Sequence, residues 1–466
     1  MRIMFVSAEV APFSKVGGLA DVAGNLPKYL EKQKCEVAVF TPLYGNVNCD
    51  KYGIKPLKNS RLKISMGNTE HIFTLWHGKI PDTKVNVFFV ENPKYFGCFK
   101  EVYPMYIDDF YEQQRFVSFS LATMEYAKLL NFKPDIIHAN DWHTAMVPVY
   151  LKSNYKYDDF YKGAKCVFTI HNLAYQGSCD PKIVDFANMR WDNVYNENCI
   201  EHWGRVNWMK GAINTADLVT TVSPRYAGEI LGGEFGEGMD YTLRGQTHKL
   251  KGILNGVEKI KFNIKEKAKL KKEITELFGL KYDPNIPLIA MVSRLVYQKG
   301  FDLIDVVSRE LMKIPAQFVI LGTGEKRYEN MFIWLSNNSP NIRAWVDFKA
   351  DLSGKIYGAS DMFLMPSLFE PCGIGQLLAL QYGSIPIVRA VGGLDDTIIS
   401  YPNEKANGFK FLAYNGWDML NEIKHAVGVY NDKKEWKKLV KNAQKCDYSW
   451  EKSTKEYLKA YKALSS

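Results

Sequence analysis

The sequence predicts an α/β protein made of two doubly wound parallel-sheet domains, and three observations predict it. Short apolar runs alternate with helical patterns through the first half of the chain. The same alternation restarts after a break near Asn255-Gly256-Val257. At 466 residues, 46% of them hydrophobic, the chain exceeds what one core serves and has the apolar content for two.

Taken in order, Ile3-Met4-Phe5-Val6 reads as a buried first strand. It runs out into Lys15-Val16-Gly17-Gly18-Leu19, a loop with one cation and two adjacent glycines, and then into a helix over 21–30. The glycines remove the Cβ atoms that keep a ligand from the backbone. The helix start offers unpaired N–H groups and a partial positive charge, and Lys15 adds a full one. The set favours an anion, most simply a phosphate; a tight strand-to-helix turn without a ligand would also carry such glycines. Further strands are expected at 36–40, 84–89, 136–138, 165–170 and 218–221, with helices over 117–130 and 208–215. A Lys/Glu-rich helix follows at 266–278. The second series has strands at 288–292, 317–321, 362–365 and 385–388, with a helix over 301–311. The expected organisation is a first domain over 1–255, a second over 256–446 and a final segment over 447–466. Two αβ domains in series imply a cleft where the carboxyl ends of both sheets meet a shared ligand.

The net charge is +9, with lysines concentrated at 259–281 and 424–462. These stretches mix charge with apolar residues and read as solvated helix faces, so no nucleic-acid partner is expected. The eight cysteines form no Cys-x-x-Cys pair. The first ten residues lack a cationic lead and a long apolar run, and no run reaches membrane-spanning length. Reduced thiols in a cytoplasmic protein, without a membrane partner, are the expectation.

Four clusters fall at predicted strand ends. The Lys15–Gly18 loop is the first. His138-Ala139-Asn140-Asp141-Trp142-His143 is the second; its histidines and aspartate are metal-ligand types, but the spacing matches no common zinc pattern. A hydrogen-bonding substrate site is expected there and a metal is not, while His138 also suits a structural role at the strand end. The third, His171-Asn172-Leu173-Ala174-Tyr175-Gln176-Gly177, offers amides and an aromatic suited to sugar hydroxyls. The fourth has several parts. Arg294 and Lys299 precede a helix and can neutralise a departing diphosphate; a surface loop with solubilising cations is the plain alternative. Pro366-Ser367-Leu368-Phe369-Glu370-Pro371-Cys372-Gly373-Ile374-Gly375 is a strand end, a turn and a helix start. Glu370 there can accept hydrogen bonds from hydroxyls, and Gly373 and Gly375 free N–H groups for phosphate oxygens. Gly392-Gly393 either repeats that geometry or permits tight packing.

Assembled, these motifs resemble the bacterial glycogen synthase and plant starch synthase family over nearly the whole chain. The markers are Lys15–Leu19, Asp141-Trp142-His143, His171–Gly177, Thr220-Thr221-Val222-Ser223-Pro224, Asn255-Gly256-Val257, Arg294 with Lys299, Phe369-Glu370-Pro371-Cys372-Gly373 and Gly392-Gly393-Leu394. The resemblance implies the GT-B architecture, two Rossmann-like domains facing each other across a cleft. It implies retaining transfer of glucose from ADP-glucose to an α-1,4-glucan, with no metal or other cofactor. It implies that Lys15, Gly17 and Gly18 hold donor phosphate and that Asp21 lies near the nucleoside. Asp141, His171 and Asn172 would face the transferred glucose, with Asn207 on the donor side. Arg294 and Lys299 would bind the diphosphate, and Glu370 the glucose hydroxyls. Cys372, Gly373, Gly375, Gly392 and Gly393 would line the donor, and Phe348 stands where the family often has an adenine-stacking tyrosine. Over Trp450 to Leu464 the helical spacing of Tyr457, Leu458, Tyr461 and Leu464, with Ser449 as N-cap candidate, reads as a last helix that could pack on its own domain; the resemblance implies that it returns to the first.

The chain departs from the family pattern at Gly375 and Val391, each in place of a hydroxyl residue, at Glu258 in place of an aspartate, and in lacking a Trp-Asn-Pro shortly beyond. Each lost hydroxyl would remove about 0.5–1.5 kcal/mol of hydrogen bonding, which bears on phosphate affinity and donor choice. The rival readings are another sugar-nucleotide transferase, for instance one using UDP-glucose, a glucan phosphorylase, for which no pyridoxal-phosphate segment stands out, and a non-catalytic glucan-binding homologue.

Overall fold

The computed structural model describes residues 1–347 and 349–465; Phe348, expected at the nucleobase, lies outside them. The chain divides into two compact units. Unit 1 is Met1–Val222, Ala227–Gly256 and Trp450–Ser466; unit 2 is Ser223–Tyr226 and Val257–Ser449.

Unit 1 is built on parallel strands β1 (Arg2–Val6), β2 (Glu36–Pro42), β3 (Asn86–Glu91), β4 (Ile136–Asn140), β5 (Lys165–Ile170), β6 (Leu218–Thr221) and β7 (Leu250–Gly252). Their order across the sheet is β7-β6-β5-β4-β1-β2-β3. The inner strands are buried throughout, as continuous apolar runs covered on both faces must be. Beyond β3 the sheet departs from the all-parallel expectation. Thr69–Lys79 pairs antiparallel with β3 and carries Leu62–Met66 and Lys55–Pro56 antiparallel on itself. Thr69–Lys79 alternates correctly, burying His71, Phe73 and Leu75, but Ile72 and Trp76 on its outer face are also apolar and hide the period in the sequence.

Unit 2 has a six-stranded, wholly parallel sheet. Its strands are β8 (Leu288–Val292), β9 (Gln317–Leu321), β10 (Ile342–Trp345), β11 (Met362–Met365), β12 (Ile385–Arg389) and β13 (Phe409–Phe411), in the order β10-β9-β8-β11-β12-β13. This is the Rossmann strand order. The helix expected over 301–311 is two pieces, Phe301–Val306 and Ser308–Leu311, broken at the β-branched pair Val306-Val307.

The helices that matter for the site are α1 (Gly18–Lys32), α2 (Asp109–Leu129), α3 (Trp208–Thr215), α4 (Gly375–Gln381), α5 (Gly392–Thr397) and α6 (Trp450–Ser465). Helix α1 packs Leu19, Val22, Ala23, Leu26 and Leu30 into the core, the spacing of a single helical stripe. Helix α6 adds Trp450, Tyr457 and Tyr461 to that same core, alongside Ile3 and Phe5 of β1. The Tyr461 hydroxyl meets His138 Nδ1 at 2.6 Å, and Ser453 donates to the Leu254 carbonyl at 2.7 Å. Ser449 does not cap α6: its hydroxyl is buried without a hydrogen-bond partner among the described residues.

Candidate functional site

In an open α/β sheet, ligands bind outside the carboxyl ends of the strands where the order reverses. Unit 1 reverses between β1 and β4, unit 2 between β8 and β11; the 15–18 loop and Asp141 follow the first pair of strands, and Arg294, Lys299 and Glu370 follow the second.

In unit 1 the chain leaves β1 and folds back over α1. A Cβ at Gly24 would lie 2.5 Å from the Ala11 carbonyl oxygen, so this glycine lets the loop lie directly on the helix. Gly17 is the N-cap, with no side-chain cap bond, and the space around its Cβ position is open. Lys15 Nζ is 2.6 Å from Asp21 Oδ1, so the loop cation already has a partner on the first turn of α1. The loop's own amides are partly engaged too. The buried Glu9 carboxylate accepts from the N–H groups of Val16 (2.6 Å) and Gly17 (2.9 Å), and from the Tyr103 hydroxyl at 2.7 Å. Gly17 therefore contributes its open Cβ side, while its N–H faces Glu9.

At the end of β4, Asp141 takes a positive φ of 57°. Its Oδ1 accepts from the N–H groups of His171 (2.7 Å) and Asn172 (3.4 Å) at the end of β5. Burial pushes the Asp141 carboxyl up to about 7 against the pull of those two N–H donors. Burial pushes His171 down to about 3, so its ring is neutral, with Nε2 at 3.0 Å from Asn140 Oδ1. Asn172 Oδ1 is taken by the Ala174 N–H at 3.1 Å. Asn207 is buried: it caps α3 by accepting from the Lys210 N–H (2.9 Å) and donates to Gln176 Oε1 (2.7 Å). Gln176 in turn donates to the carbonyls of Leu173 (3.1 Å) and Glu237 (2.9 Å), which pins the 171–177 loop. A Cβ at Gly177 would lie 2.5 Å from the Trp142 ring.

The histidines of the second cluster diverge. His138 is held between Tyr461 and Thr169 and its basicity is depressed to about 3 by burial. His143 is clamped among the rings of Tyr103, Phe116 and Trp142. Among the described residues no group of three or more His, Cys, Asp or Glu could hold a metal ion.

In unit 2 the loops after β8 and β11 are stitched together. Gly300 has φ 73°, and a Cβ there would lie 2.0 Å from the Pro366 carbonyl oxygen, a contact only glycine allows. Leu368 N–H donates to Gln298 O at 2.9 Å, and the Gln298 amide to Phe369 O at 3.2 Å. This register brings Lys299 Nζ to 2.6 Å from Glu370 Oε2, which also accepts from the Ser367 hydroxyl at 3.0 Å. The pair is largely buried; Arg294 is exposed, and its side chain makes no hydrogen bond or ion pair among the described residues.

Gly392 and Gly393 resolve toward packing. A Cβ on Gly392 would lie 2.0 Å from Glu370 O and one on Gly393 1.9 Å from Cys372 O, while the Gly393 N–H donates to Glu370 O at 3.1 Å. These glycines fix the turn that carries Glu370. Gly373 has φ 72°, and Cys372 is buried beside it. At Gly375 a Cβ would meet Phe363 at 3.1 Å, Met365 Sδ at 3.3 Å and Tyr357 Oη at 3.3 Å. The side chain missing there is thus matched by a packed wall of unit 2's own core.

Sequence reasoning passed over Glu9 and Tyr103, and it offered the Gln176 amide to sugar hydroxyls where the structure engages it with Asn207 and the Leu173 and Glu237 carbonyls. Glu9 lies between β1 and the glycine loop, and a carboxylate in an apolar stretch was the available signal. Tyr103 and Gln176 act through partners 94 and 31 residues away, which no local pattern reports.

Residues 2–245 match the starch synthase catalytic domain model, and residues 272–446 match glycosyl transferases group 1. The glycogen synthase of Thermosipho melanesiensis is 42% identical, with 100% of this chain and 99% of that one covered. That of Pseudothermotoga lettingae is 43% identical, covering 99% and 98%. The chain belongs to the glycogen and starch synthase family. Among solved structures, the catalytic domain of starch synthase IV from Arabidopsis thaliana, bound to ADP and acarbose, matches with a TM-score of 0.90 at 30% identity over 100% of this chain and 99% of that one. The synthase is therefore a glycosyltransferase of GT-B class, as the sequence predicts, and its two doubly wound sheets are those of that class. No helix among the described residues is long and apolar enough to cross a membrane.

Proposed function

We propose that this synthase transfers glucose from ADP-glucose to the non-reducing end of an α-1,4-glucan, with retention of configuration. The observation that carries the reading is the Lys299–Glu370 pair at the switch point of unit 2, in a loop that also carries Arg294, whose side chain has no partner among the described residues. A diphosphate leaving group needs two cations, and a glucosyl ring needs a fixed carboxylate for its hydroxyls; this cluster supplies both from adjoining loops. Family membership supports the donor, since the starch synthase IV structure holds ADP together with acarbose.

In the proposed reaction the bond from the anomeric carbon to the diphosphate lengthens and an oxocarbenium-like glucosyl centre forms. Arg294 and Lys299 take up the charge that moves onto the diphosphate, stabilisation that grows toward the transition state. Asp141, with one oxygen locked by two N–H donors, and the neutral His171 serve the transferred glucose as oriented hydrogen-bonding groups, and Asn207 acts through Gln176 to hold their loop. Attack from the same face, with the departing phosphate accepting the acceptor's proton, accounts for retention. The buried carboxylates of Asp141 and Glu370 are already engaged, Asp141 by N–H donors and Glu370 by Lys299 and Ser367, which favours this route over a covalent intermediate on either. Lys15 and the Gly18 end of α1 contribute the positive end of unit 1 to donor phosphate, with Asp21 as the lysine's resting partner and a neighbour of the nucleoside. Cys372, Gly373, Gly375, Gly392 and Gly393 shape the donor-side turn.

The test is a donor panel with glycogen as acceptor. ADP release and lengthened α-1,4 chains with ADP-glucose support the reading. Faster turnover with UDP-glucose would move it to another nucleotide, and transfer from none would overturn it.

A further inference from the structure

Unit 1 carries an exposed aromatic side chain that the fold does not need. Glu201–His202 and Arg205–Asn207 form a hairpin, and its two turn residues, Trp203 and Gly204, both have positive φ, 52° and 76°. Such a turn prefers Asn-Gly or Asp-Gly; a bulky residue at its first position sits in backbone space it disfavours. The indole gains no burial in return, being 82% exposed. It is nonetheless held in place. Its ring stacks on His202 at 4.4 Å and 22° between planes, and a Cβ at Gly238 would lie 3.3 Å from its Cη2. A strained backbone presenting an ordered, exposed aromatic is the pattern of a binding surface.

Its location is tied to the half-site of unit 1. The second hairpin strand pairs with Ser178–Cys179, directly after the 171–177 loop, and ends at Asn207. Gly238, under the indole, follows Glu237, whose carbonyl takes the Gln176 amide. Tyr175, in the same loop, is 64% exposed. A pyranose ring presents a face of C–H bonds whose hydrogens suit the π-face of an indole, while its hydroxyls stay in water.

We propose that Trp203, backed by His202 and joined by Tyr175, is a stacking platform for a glucosyl unit of the acceptor chain beyond the one that reacts. The platform sets preference for longer acceptors. It rests on the function proposed above. In that function the nucleoside lies by Asp21 and the diphosphate by Lys15, Arg294 and Lys299, none of which belongs to this hairpin, so the occupant is the glucan rather than the nucleobase.

The experiment compares wild type with Trp203→Asn and Trp203→Phe on malto-oligosaccharides of increasing length and on glycogen. Asparagine suits the turn, so Trp203→Asn should melt at or above the wild-type temperature. Its KM for long acceptors should rise about tenfold, the size of one stacking contact, while kcat, donor KM and the KM for maltose stay within about twofold. Trp203→Phe should recover most of the loss. Equal length dependence in Trp203→Asn and wild type overturns the proposal, as does a rise confined to donor KM, which would place the nucleobase there. Migration in glycogen-containing native gels reads binding without turnover. Retardation of wild type but not of Trp203→Asn supports the platform even if no donor is used, and equal retardation overturns it.

Discussion

Units 1 and 2 solve the same topological problem with opposite chemistry. Each reverses strand order between its first and fourth parallel strands, so each opens at an equivalent pair of strand ends. At those ends unit 1 gathers carboxylates and amides: Glu9, Asp21 and Asp141, with Asn140, Asn172 and Gln176. Its one loop cation, Lys15, is neutralised by Asp21. Unit 2 gathers cations: Arg294, whose side chain has no partner among the described residues, and Lys299, held on Glu370. Backbone order fixes where a ligand lies, and two or three side chains fix whether that place suits a sugar's hydroxyls or a diphosphate's charge.

Four outcomes would break or sharpen the contrast. The largest effect is expected from deleting 447–466. The core of unit 1 loses Trp450, Tyr457 and Tyr461, each worth several kcal/mol if truncated in place, on the order of 3–5 kcal/mol for a large aromatic. Unit 2 loses no residue of its own core cluster. Calorimetry should show the transition of unit 1 lost or shifted far down and that of unit 2 retained; an unchanged melting profile with unchanged kcat would refute the assignment of α6.

Next in size is Lys299→Ala, expected to lower kcat by about a hundredfold to a thousandfold, as for other preorganised charge-stabilising donors. It also leaves Glu370 buried without its cation, so the double variant with Glu370→Gln should lose less than the sum of the single losses. Near-normal turnover at saturating donor would remove Lys299 from the diphosphate.

The third is pH dependence through Asp141. Its carboxyl titrates near 7 in the folded chain, against an ordinary value of 3.8. The folded state thus holds this proton where the unfolded state has released it, and the group's contribution to stability, full below about 4, fades as pH rises through about 7. Activity runs the other way: the ionised acceptor is lost as pH falls below about 7. Asp141→Asn should lower kcat/KM and flatten that acid limb; an unaltered limb assigns it to another group.

The smallest loss is expected from Lys15→Ala, about tenfold in turnover, because this lysine is 54% exposed and already shares its charge with Asp21. A loss equal to that of Lys299→Ala would erase the distinction drawn between the cations of the two units.

Part of the contrast is legible in the sequence. Buried parallel strands announce themselves by short β-branched and aromatic stretches such as Ile136-Ile137 and Val167-Phe168, and the loops that follow them carry the glycines and charges. Edge strands did not: Leu250–Gly252, Ile342–Trp345 and Phe409–Phe411 are short, and lysine, arginine or glycine interrupts each. The glycine pair at 392–393 left two readings open, which separate only once its contacts with the 370–372 backbone are known. Glu9 stands out as a carboxylate in an apolar stretch, but two of its partners are backbone amides, which every residue has, and the third is a hydroxyl 94 residues away, so nothing in the sequence marks what it binds.

The return of α6 to unit 1 has a consequence for synthesis. A ribosome delivers residues 1–256 long before Trp450 leaves the exit tunnel, so the nascent first unit waits with its aromatic seam open and His138 without the Tyr461 hydroxyl. The whole second unit is translated in that interval. Chains stopped early by a nonsense codon therefore keep the apolar surface that chaperones and proteases recognise, and only a full-length product closes it.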